Sequence, residues 1–321
     1  MGQVAIEQSV VQKARPKIRL LPRKQSKRRA LEFYLFISPW FIVFVLFGII
    51  PMLWGLYLSF TNYTGYNFSH LRFIGAENYH LAFTDSQAMQ ALARTAVLTF
   101  IGVPLGVIIG FLLAVLLNNK VKGLSIYRTL FYLPAILPTV ASGLIWQMMY
   151  QTDGGILNTL FGFFGMKPID WMGYGMAQPS FIISGLWGAG GGLMIYLAGL
   201  KGIPQSLIES ASIDGANYWR QFIHITIPLM TPILFFNLLM GLIGSFQNFL
   251  QPLLLTGLSL TGDPIQPIYL YMNHAWINIF VFDRFGYGLA LLWILFAVIL
   301  IFALIVFWSQ KFWVHYESGE D

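Results

Sequence analysis

The chain has 321 residues, of which 57% are hydrophobic and only 10% are charged. Soluble globular proteins carry about 25% charged residues, so the few charged side chains here would hardly cover the surface of a soluble protein this long. The chain has no cysteine, which excludes disulfides, thiolate metal sites and cysteine nucleophiles. Composition therefore indicates a polytopic membrane protein and argues against collagen, disordered and nucleic-acid-binding classes.

Six stretches without Asp, Glu, Lys or Arg reach the roughly 20 residues that a membrane-crossing helix needs. In chain order they are Phe33–Phe60, Thr95–Asn119, Thr129–Thr152, Trp171–Leu200, Gln221–Gly262 and Phe285–Gln310. Pro134 and Pro138 predict a kink in the third, and Gly and Pro near the start of the fourth predict that its helix begins late. The fifth is too long for one span, so we place its helix near Thr226–Thr256. The prediction is an all-α membrane protein with six transmembrane helices.

Basic residues are concentrated on one side of these spans, and cytoplasmic segments carry the excess of Lys and Arg. With both termini on one side, that side holds 15 of the 19 basic residues, nine of them in a tail over residues 1–30. The tail residues are Lys13, Arg15, Lys17, Arg19, Arg23, Lys24, Lys27, Arg28 and Arg29, and the others are Lys120, Lys122, Arg128, Lys201, Arg220 and Lys311. Both termini are therefore predicted to be cytoplasmic, with a membrane domain over 31–316 and a short tail over 317–321. We interpret the basic tail as a topology determinant that touches anionic lipid.

The predicted spans contain few groups that could drive chemistry or ion coupling. No acidic residue falls inside a spanning core, whereas ion-coupled carriers usually place Asp, Glu or His there. The five histidines are expected in loops or at helix ends, in structural or interfacial roles, and no HExxH or GxxxxGK[ST] pattern occurs. Catalytic and metal sites are not predicted. The glycine run at 188–192 favours helix packing over a translocation path, although both interpretations remain open.

The segment from Lys201 to Pro232 predicts two short helices on the cytoplasmic face. Gln205–Asp214 is amphipathic, Gly215 ends it, and Asn217 caps a second helix through Tyr218, Trp219 and Phe222 until Pro228 opens the next span. Exposed apolar residues on a short polar helix need either a partner or a membrane surface to cover them.

The same residues resemble the EAA signature, EAA-x3-G ending in I-x-LP, of the membrane subunits of ABC importers. Glu209-Ser210-Ala211, then Asp214-Gly215-Ala216, then Ile227-Pro228 follow its spacing, with Ser210 in place of Ala and Ile227 in place of Leu. Further segments typical of the carbohydrate-uptake branch, from about residue 36 to 316, are FIGAENYHLAF, YRTLFYLPAILPTVASGLIW and FGYGLALLW. Within that branch the chain is similar to the subunit type of MalF-like maltose and glycerol-phosphate permeases, without the extra helices and large periplasmic insertion of the maltose subunit.

The resemblance implies the type I ABC importer permease fold in the bacterial cytoplasmic (inner) membrane. It implies a heterodimer with a second homologous permease, a dimeric cytoplasmic ATPase that binds ATP and Mg, and an extracytoplasmic solute-binding protein that delivers a carbohydrate. No cofactor is then expected on this chain, which is expected to be a transport subunit and not an enzyme. The EAA loop, residues 201–228, would dock into the ATPase through Glu209, Ser210, Ala211, Asp214, Gly215 and Ala216.

A mid-membrane sugar site is expected to show small polar side chains and aromatics, because amides and hydroxyls match sugar hydroxyls without burying charge. The candidates are Thr139 and Ser142 on the third span, Ser184, Trp187 and Tyr196 on the fourth, and Gly241, Ser245, Gln247 and Asn248 on the fifth. By resemblance, Thr139, Gly241 and Ser245 stand where the maltose subunit contacts sugar. Ala135 and Gly241 replace a Tyr and a Ser there, which puts maltose itself in doubt. Helix-to-helix hydrogen bonding is the alternative role for each residue.

Three hypotheses follow. The first is a permease subunit of an ATP-driven importer of a sugar or oligosaccharide, working by alternating access. The second is a self-sufficient secondary carrier or facilitator, which the missing intramembrane carboxylates disfavour. The third is a membrane enzyme acting on lipid-linked sugars, which the lack of a catalytic cluster disfavours. The sequence names neither the sugar nor its charge, because the second permease would supply the other half of the pathway.

Overall fold

The structure, a computed structural model, describes residues 23–119, 123–257 and 265–315. Most of the basic tail, Lys120, Lys122 and the predicted C-terminal tail lie outside these residues. Helices in chain order are α1 (23–59), α2 (Glu77–Thr84), α3 (Ser86–Leu117), α4 (Leu124–Ile136), α5 (Thr139–Tyr150), α6 (Ile156–Gly162), α7 (Ala177–Gly202), α8 (Gln205–Ile213), α9 (Tyr218–Phe246), α10 (Leu250–Leu255), α11 (Tyr271–Phe280) and α12 (Phe285–Trp313). The described residues form no strand, only an isolated bridge between Thr61 and Phe73.

Five helices, α1, α3, α7, α9 and α12, are long and apolar enough to cross a membrane. The pair α4 and α5, bent by 99° relative to each other, makes a sixth if it is counted as one broken span. The break falls at Leu137 and Pro138, whose backbones are extended. Proline has no N–H to donate and disfavours helical geometry in the residue before it. The all-α class and the proline kink are confirmed, and α7 begins late, as predicted, at Ala177.

The predicted limits of the fifth span were wrong. One helix does not cover Thr226–Thr256, because α9 ends at Phe246 and the separate short helix α10 begins at Leu250. Polar side chains satisfy the backbone at this break: Asn273 Nδ2 donates to the Phe249 carbonyl at 2.7 Å, and Asn248 Oδ1 accepts from the Gln251 N–H at 3.4 Å. These amides provide the bonds that a continuing helix would otherwise have made.

The beginning of this span also differs from the prediction. Tyr218 starts a helix that continues without interruption into the span, through a π-helical turn over Phe222–Thr226. The Ile227 N–H bonds to the Phe222 carbonyl five residues earlier, and the α-helix resumes with Pro228 in its first turn. Proline fits that position because its missing N–H needs no partner there. Pro228 therefore does not separate the loop helix from the span.

The described residues divide into two compact units, one that ends at Trp54 and one that begins at Gly55. In the first unit, the described side chains from residue 31 onward are exposed or half-buried. In the second unit α3 packs against α7, α9 and α11. Phe111, Leu193, Tyr196 and Met230 form an apolar cluster between α3, α7 and α9, which gives the central helices a fixed packing.

Asp85 fastens the start of α3 to α11 and α12. Its Oδ1 accepts from the N–H groups of Gln87 and Ala88 at 2.8 and 3.3 Å, which caps α3. Its Oδ2 accepts from Tyr287 Oη at 2.8 Å and lies 3.2 Å from His274 Nε2. His274 was expected in a loop or at a helix end, but it lies buried within α11. The start of α3 and the two neighbouring helices therefore share one polar cluster.

The charge of Asp85 is stabilised by this cluster. Partial burial opposes ionisation, but hydrogen bonds from Tyr287, Ala88 and Gln87, together with nearby His274, outweigh it and hold the pKa of Asp85 below its usual value. A lowered folded-state pKa adds stability that is present above the unfolded-state value, near 3.9, and is lost as pH falls through the folded-state pKa.

We expect Asp85→Asn to lower the unfolding temperature at neutral pH by a few degrees, because charge-assisted bonds worth ~1–3 kcal/mol are weakened while a capping residue remains. Thermal unfolding in detergent, measured from neutral to acidic pH, should show the wild type losing its advantage over Asp85→Asn below about pH 4. Asp153→Asn, at an exposed acid, is the control. A stability gap that persists unchanged at low pH would contradict this account.

Candidate functional site

A cavity of about 350 Å³ lies between α3, α7 and α9. Glycines on all three helices line the cavity: Gly102 and Gly106 on α3, Gly185, Gly188 and Gly192 on α7, and Gly241 and Gly244 on α9. Open space surrounds Gly185, Gly188 and Gly244, whereas a Cβ on Gly241 would meet Val103 of α3. Small residues let helices approach one another, and where they face a shared space they leave room for a ligand.

Four of the nine residues predicted for a sugar site line the same cavity: Tyr196, Gly241, Ser245 and Asn248. Ser245 Oγ lies 2.8 Å from Thr99 Oγ1, which joins α9 to α3. Tyr196 is almost fully buried in the cluster between α3, α7 and α9, so its ring is held in one position.

Four more of the predicted residues, Thr139, Ser142, Ser184 and Trp187, line a neighbouring cavity of about 180 Å³. Gln251 lines both cavities. Its Nε2 donates to Ser184 Oγ at 2.9 Å, and its Oε1 accepts from Asn248 Nδ2 at 2.9 Å. One amide therefore connects the two groups of predicted residues. Gln247 is not among the described residues that line either cavity.

Asn237 and Gln251 are cavity residues that the sequence analysis did not select. Asn237 lies mid-helix on α9, with Nδ2 donating to the Ile233 carbonyl at 2.9 Å. A lone amide in an otherwise apolar span was a usable signal. Gln251 lies in the segment that the sequence predicted as part of one long helix. It faces the cavities because the helix breaks after Phe246, and the sequence did not predict that break.

The lining of both cavities is uncharged among the described residues. The described part of the chain also contains no group of three or more His, Asp or Glu that could hold a metal. Amides, hydroxyls and aromatic faces can hydrogen-bond and stack on a polar, uncharged ligand, and such groups define most small-molecule sites.

The glycine run at 188–192 has two roles in the structure. It forms a 3₁₀ segment over Trp187–Gly192, in which Gly190 lies against the Phe131 carbonyl of α4 with no room for a side chain. Gly188 has open space around it and faces both cavities. The run therefore packs two helices together on one side and leaves the cavities open on the other.

The loop between α7 and α9 is closed by a glycine turn. Gly215 has a φ of +79°, its N–H bonds to the Ser212 carbonyl at 3.1 Å, and the Ala216 N–H bonds to the Ala211 carbonyl at 2.9 Å. This pair of bonds is a Schellman motif, which requires a left-handed residue and so favours glycine. Glu209 lies within α8 and Gly215 forms the turn that follows it, so the length of α8 sets the spacing between the two residues.

The second half of the loop is fixed to the first. Asn217 Oδ1 accepts from the Arg220 N–H at 2.9 Å, which confirms the predicted cap. Gln221 Nε2 donates both to Ser212 Oγ and to the Ala216 carbonyl at 2.9 Å. Because Gln221 belongs to α9, α8 is tied directly to the helix that lines the cavity.

The predicted coupling residues lie along this turn. Glu209, Ser210, Asp214 and Gly215 are exposed, and Ala211 and Ala216 are half-buried. Beside them, Ile213 is 87% and Trp219 is 67% exposed, and Tyr218 is also exposed. Apolar side chains this exposed at the edge of a membrane domain indicate a contact surface.

The geometry defines a helical membrane protein with an uncharged cavity among its long apolar helices. Residues 102–314 match the family described as binding-protein-dependent transport system inner membrane component. The chain belongs to this family and is therefore a multi-pass inner-membrane permease of the ABC importer class.

Individual proteins agree with the family match. The chain is 38% identical to the probable ABC transporter permease protein YesP of Bacillus subtilis, over 90% of this chain and 93% of that one. It is 30% identical to the arabinooligosaccharides transport system permease protein AraP of the same organism, over 85% and 86%. A solved bacterial alginate ABC transporter, in complex with an alginate pentasaccharide-bound periplasmic protein, contains a chain of the same fold. Its TM-score is 0.78 at 21% identity, covering 89% of this chain and 96% of that one.

The two roles of the glycine run can be separated by matched substitutions. Gly190→Ala places a Cβ against the Phe131 carbonyl, so we expect α4 and α7 to part and the unfolding temperature to fall by several degrees. Gly188→Ala has open space and should leave stability unchanged. Thermal unfolding of both purified variants measures the difference, and equal stabilities would argue against close packing at Gly190.

Proposed function

We propose that this chain is one of two permease subunits in an ATP-driven importer of a sugar or oligosaccharide. An extracytoplasmic binding protein delivers the carbohydrate, and a separate dimeric ATPase, which binds ATP and Mg, drives alternating access. The proposal includes cytoplasmic termini and a cytoplasmic position for the loop over 201–228. Of the three hypotheses considered, this one accords with the chain's membership in a family of binding-protein-dependent transport components.

One observation carries the mechanism: the turn around Gly215 is hydrogen-bonded to the start of the helix whose later turns form a wall of the cavity. Gln221 holds α8 against the start of α9, and Gly241 and Ser245 line the cavity about six turns further along that helix. A rigid helix transmits a displacement at one end to the other, so a partner that moves α8 would move this wall of the cavity. The apolar core between α3, α7 and α9 would favour rigid-body movement over local bending.

The exposed side of the loop suits a partner that closes over it. Ile213 and Trp219 supply apolar area, and Glu209 and Asp214 supply charge at the rim. Interfaces concentrate binding energy in a few buried aromatic and aliphatic side chains surrounded by polar residues. We propose that the ATPase covers this surface and that its closure on ATP binding is the source of movement, since the cavity residues have no ionisable group for ion coupling.

A carbohydrate suits the cavity lining. Asn237, Ser245, Asn248 and Gln251 offer amides and hydroxyls, and Tyr196 and Trp187 offer aromatic surfaces. Sugars present many hydroxyls and apolar ring faces, and both can be matched without desolvating a charge. The name of AraP specifies arabinooligosaccharides, and this relative supports a carbohydrate as the substrate class of this chain. The identity of the sugar would follow from binding assays of the cognate binding protein against a glycan panel.

The loop geometry gives the first test. Gly215→Ala forces a Cβ into a left-handed conformation, at a cost of ~1–2 kcal/mol, and should loosen the turn between α8 and α9. We expect sugar uptake in proteoliposomes with all partner subunits to fall at least tenfold, while membrane insertion and binding-protein docking persist. Glu209→Ala should have the same effect.

Two controls accompany this test. Gly215→Asn should restore part of the transport, because asparagine tolerates the left-handed region better than alanine. Gly202→Ala, at the end of α7 with open space, should transport normally. Full uptake by a chain with residues 205–217 scrambled would refute the coupling role.

The cavity gives the second test. Gln251→Leu removes the amide that joins Ser184 to Asn248, so we expect uptake to fall at least tenfold while the loaded binding protein still stimulates the ATPase. Phe236→Leu, at an exposed position on α9, is the control. Normal uptake by Gln251→Leu would exclude these cavities from the sugar pathway and leave the coupling role intact.

A further inference from the structure

A separate cleft of about 400 Å³ lies between α4 and α7, outside both cavities described above. One end is polar and holds Ser125, Arg128, Thr129 and Tyr132, and the other end is apolar and holds Leu133, Ile136 and Met194. From Ser125 to Ile136 the helix rises by about 16 Å. We refer to this space as the Arg128 cleft.

The polar end contains an arginine whose hydrogen-bonding capacity is only partly used. Arg128 Nη2 donates to the Leu117 carbonyl at the end of α3, at 3.1 Å. Its Nε is buried and has no hydrogen-bond partner among the described residues. Because that Nε has almost no accessible surface, an acceptor in the cleft would bond to the Nη atoms, which carry four N–H groups. Arginine pairs best with planar or branched oxyanions such as carboxylate and phosphate.

The position of the cleft identifies the source of that oxyanion. Arg128 lies only about one turn inside the start of α4, at the membrane end of a predicted span, while Ile136 lies towards its middle. Leu133, Ile136 and Met194 are exposed, and they would face hydrocarbon at that depth. A cleft that is cationic at the headgroup level and apolar below it is complementary to a phospholipid, which has a phosphate in its headgroup and apolar acyl chains.

We propose that the Arg128 cleft binds one anionic phospholipid. The phosphate accepts from Arg128 and from the hydroxyl of Ser125, and an acyl chain lies along Leu133, Ile136 and Met194. With the proposed orientation the lipid belongs to the cytoplasmic leaflet, where basic pockets between helices bind anionic headgroups. A free phosphate ion would use only the polar end of the cleft, so the apolar end favours a lipid.

The test uses the full-length chain, purified with its accompanying partner chains in mild detergent. Phosphatidylglycerol and phosphatidylcholine with identical acyl chains are added together, and native mass spectrometry counts the lipids retained. We expect the wild type to retain phosphatidylglycerol selectively and Arg128→Gln to reduce that retention about tenfold, as expected for the loss of one charged hydrogen-bonding group. Lys311→Gln, which removes a basic residue from the last turn of α12, should retain as much as the wild type.

Arg128→Gln also removes the bond to Leu117, so a loss of lipid could reflect misfolding. A second pair of variants distinguishes the two explanations. Ser125→Ala and Leu133→Trp leave that bond in place; the first removes a phosphate donor and the second fills the acyl end. Each should reduce phosphatidylglycerol retention at unchanged thermal stability. Retention unaffected by both variants would overturn the proposal. Displacement of the lipid by millimolar inorganic phosphate would overturn it too, by indicating a free-phosphate site.

Discussion

The constraint on which this structure depends is that backbone N–H and C=O groups cannot remain unpaired in hydrocarbon. The chain meets it with long helices, and at two of their interruptions other groups complete the hydrogen bonding. Asn273 and Asn248 do so after α9, and a 3₁₀ segment does so in α7. The internal cavities lie beside these two irregular segments. Irregular backbone and polar side chains therefore occur together, because the interruption that needs polar partners also provides the space for a ligand.

A second principle is that the two ends and the middle of α9 have different structural roles. One end of this helix holds the Schellman turn through Gln221, its middle lines the cavity, and its other end terminates at the amide-supported break. The Asp85 cluster ties α3 to α11 and α12. The packed core between α3, α7 and α9 connects these regions, so a force on the loop has a continuous path to the cavity wall. The Arg128 cleft lies on α4 and α7, outside this path.

Much of this arrangement could be predicted from the residues. Apolar runs without charge predicted the spans because burying charge in lipid is costly, and Pro138 predicted the break between α4 and α5. Gly215 and Asn217 predicted the loop because their conformational preferences are local. The limits of α9 were not predictable in this way. Its early start relies on a π-helical turn, and its end relies on Asn273, which lies 24 residues away from the carbonyl it satisfies.

The sequence alone determined the class of the protein, the spans and the loop signature, since each of these reflects hydropathy or preferences within a few neighbouring residues. Which polar residues meet was decided only by the tertiary structure. Eight of the nine predicted pathway residues divide between two cavities, and Gln251, absent from that prediction, joins them through Ser184 and Asn248. His274 likewise meets Asp85 across 189 residues. The physical reason is that side-chain pairing between helices depends on their packing and rotation, which a pattern along one helix does not specify.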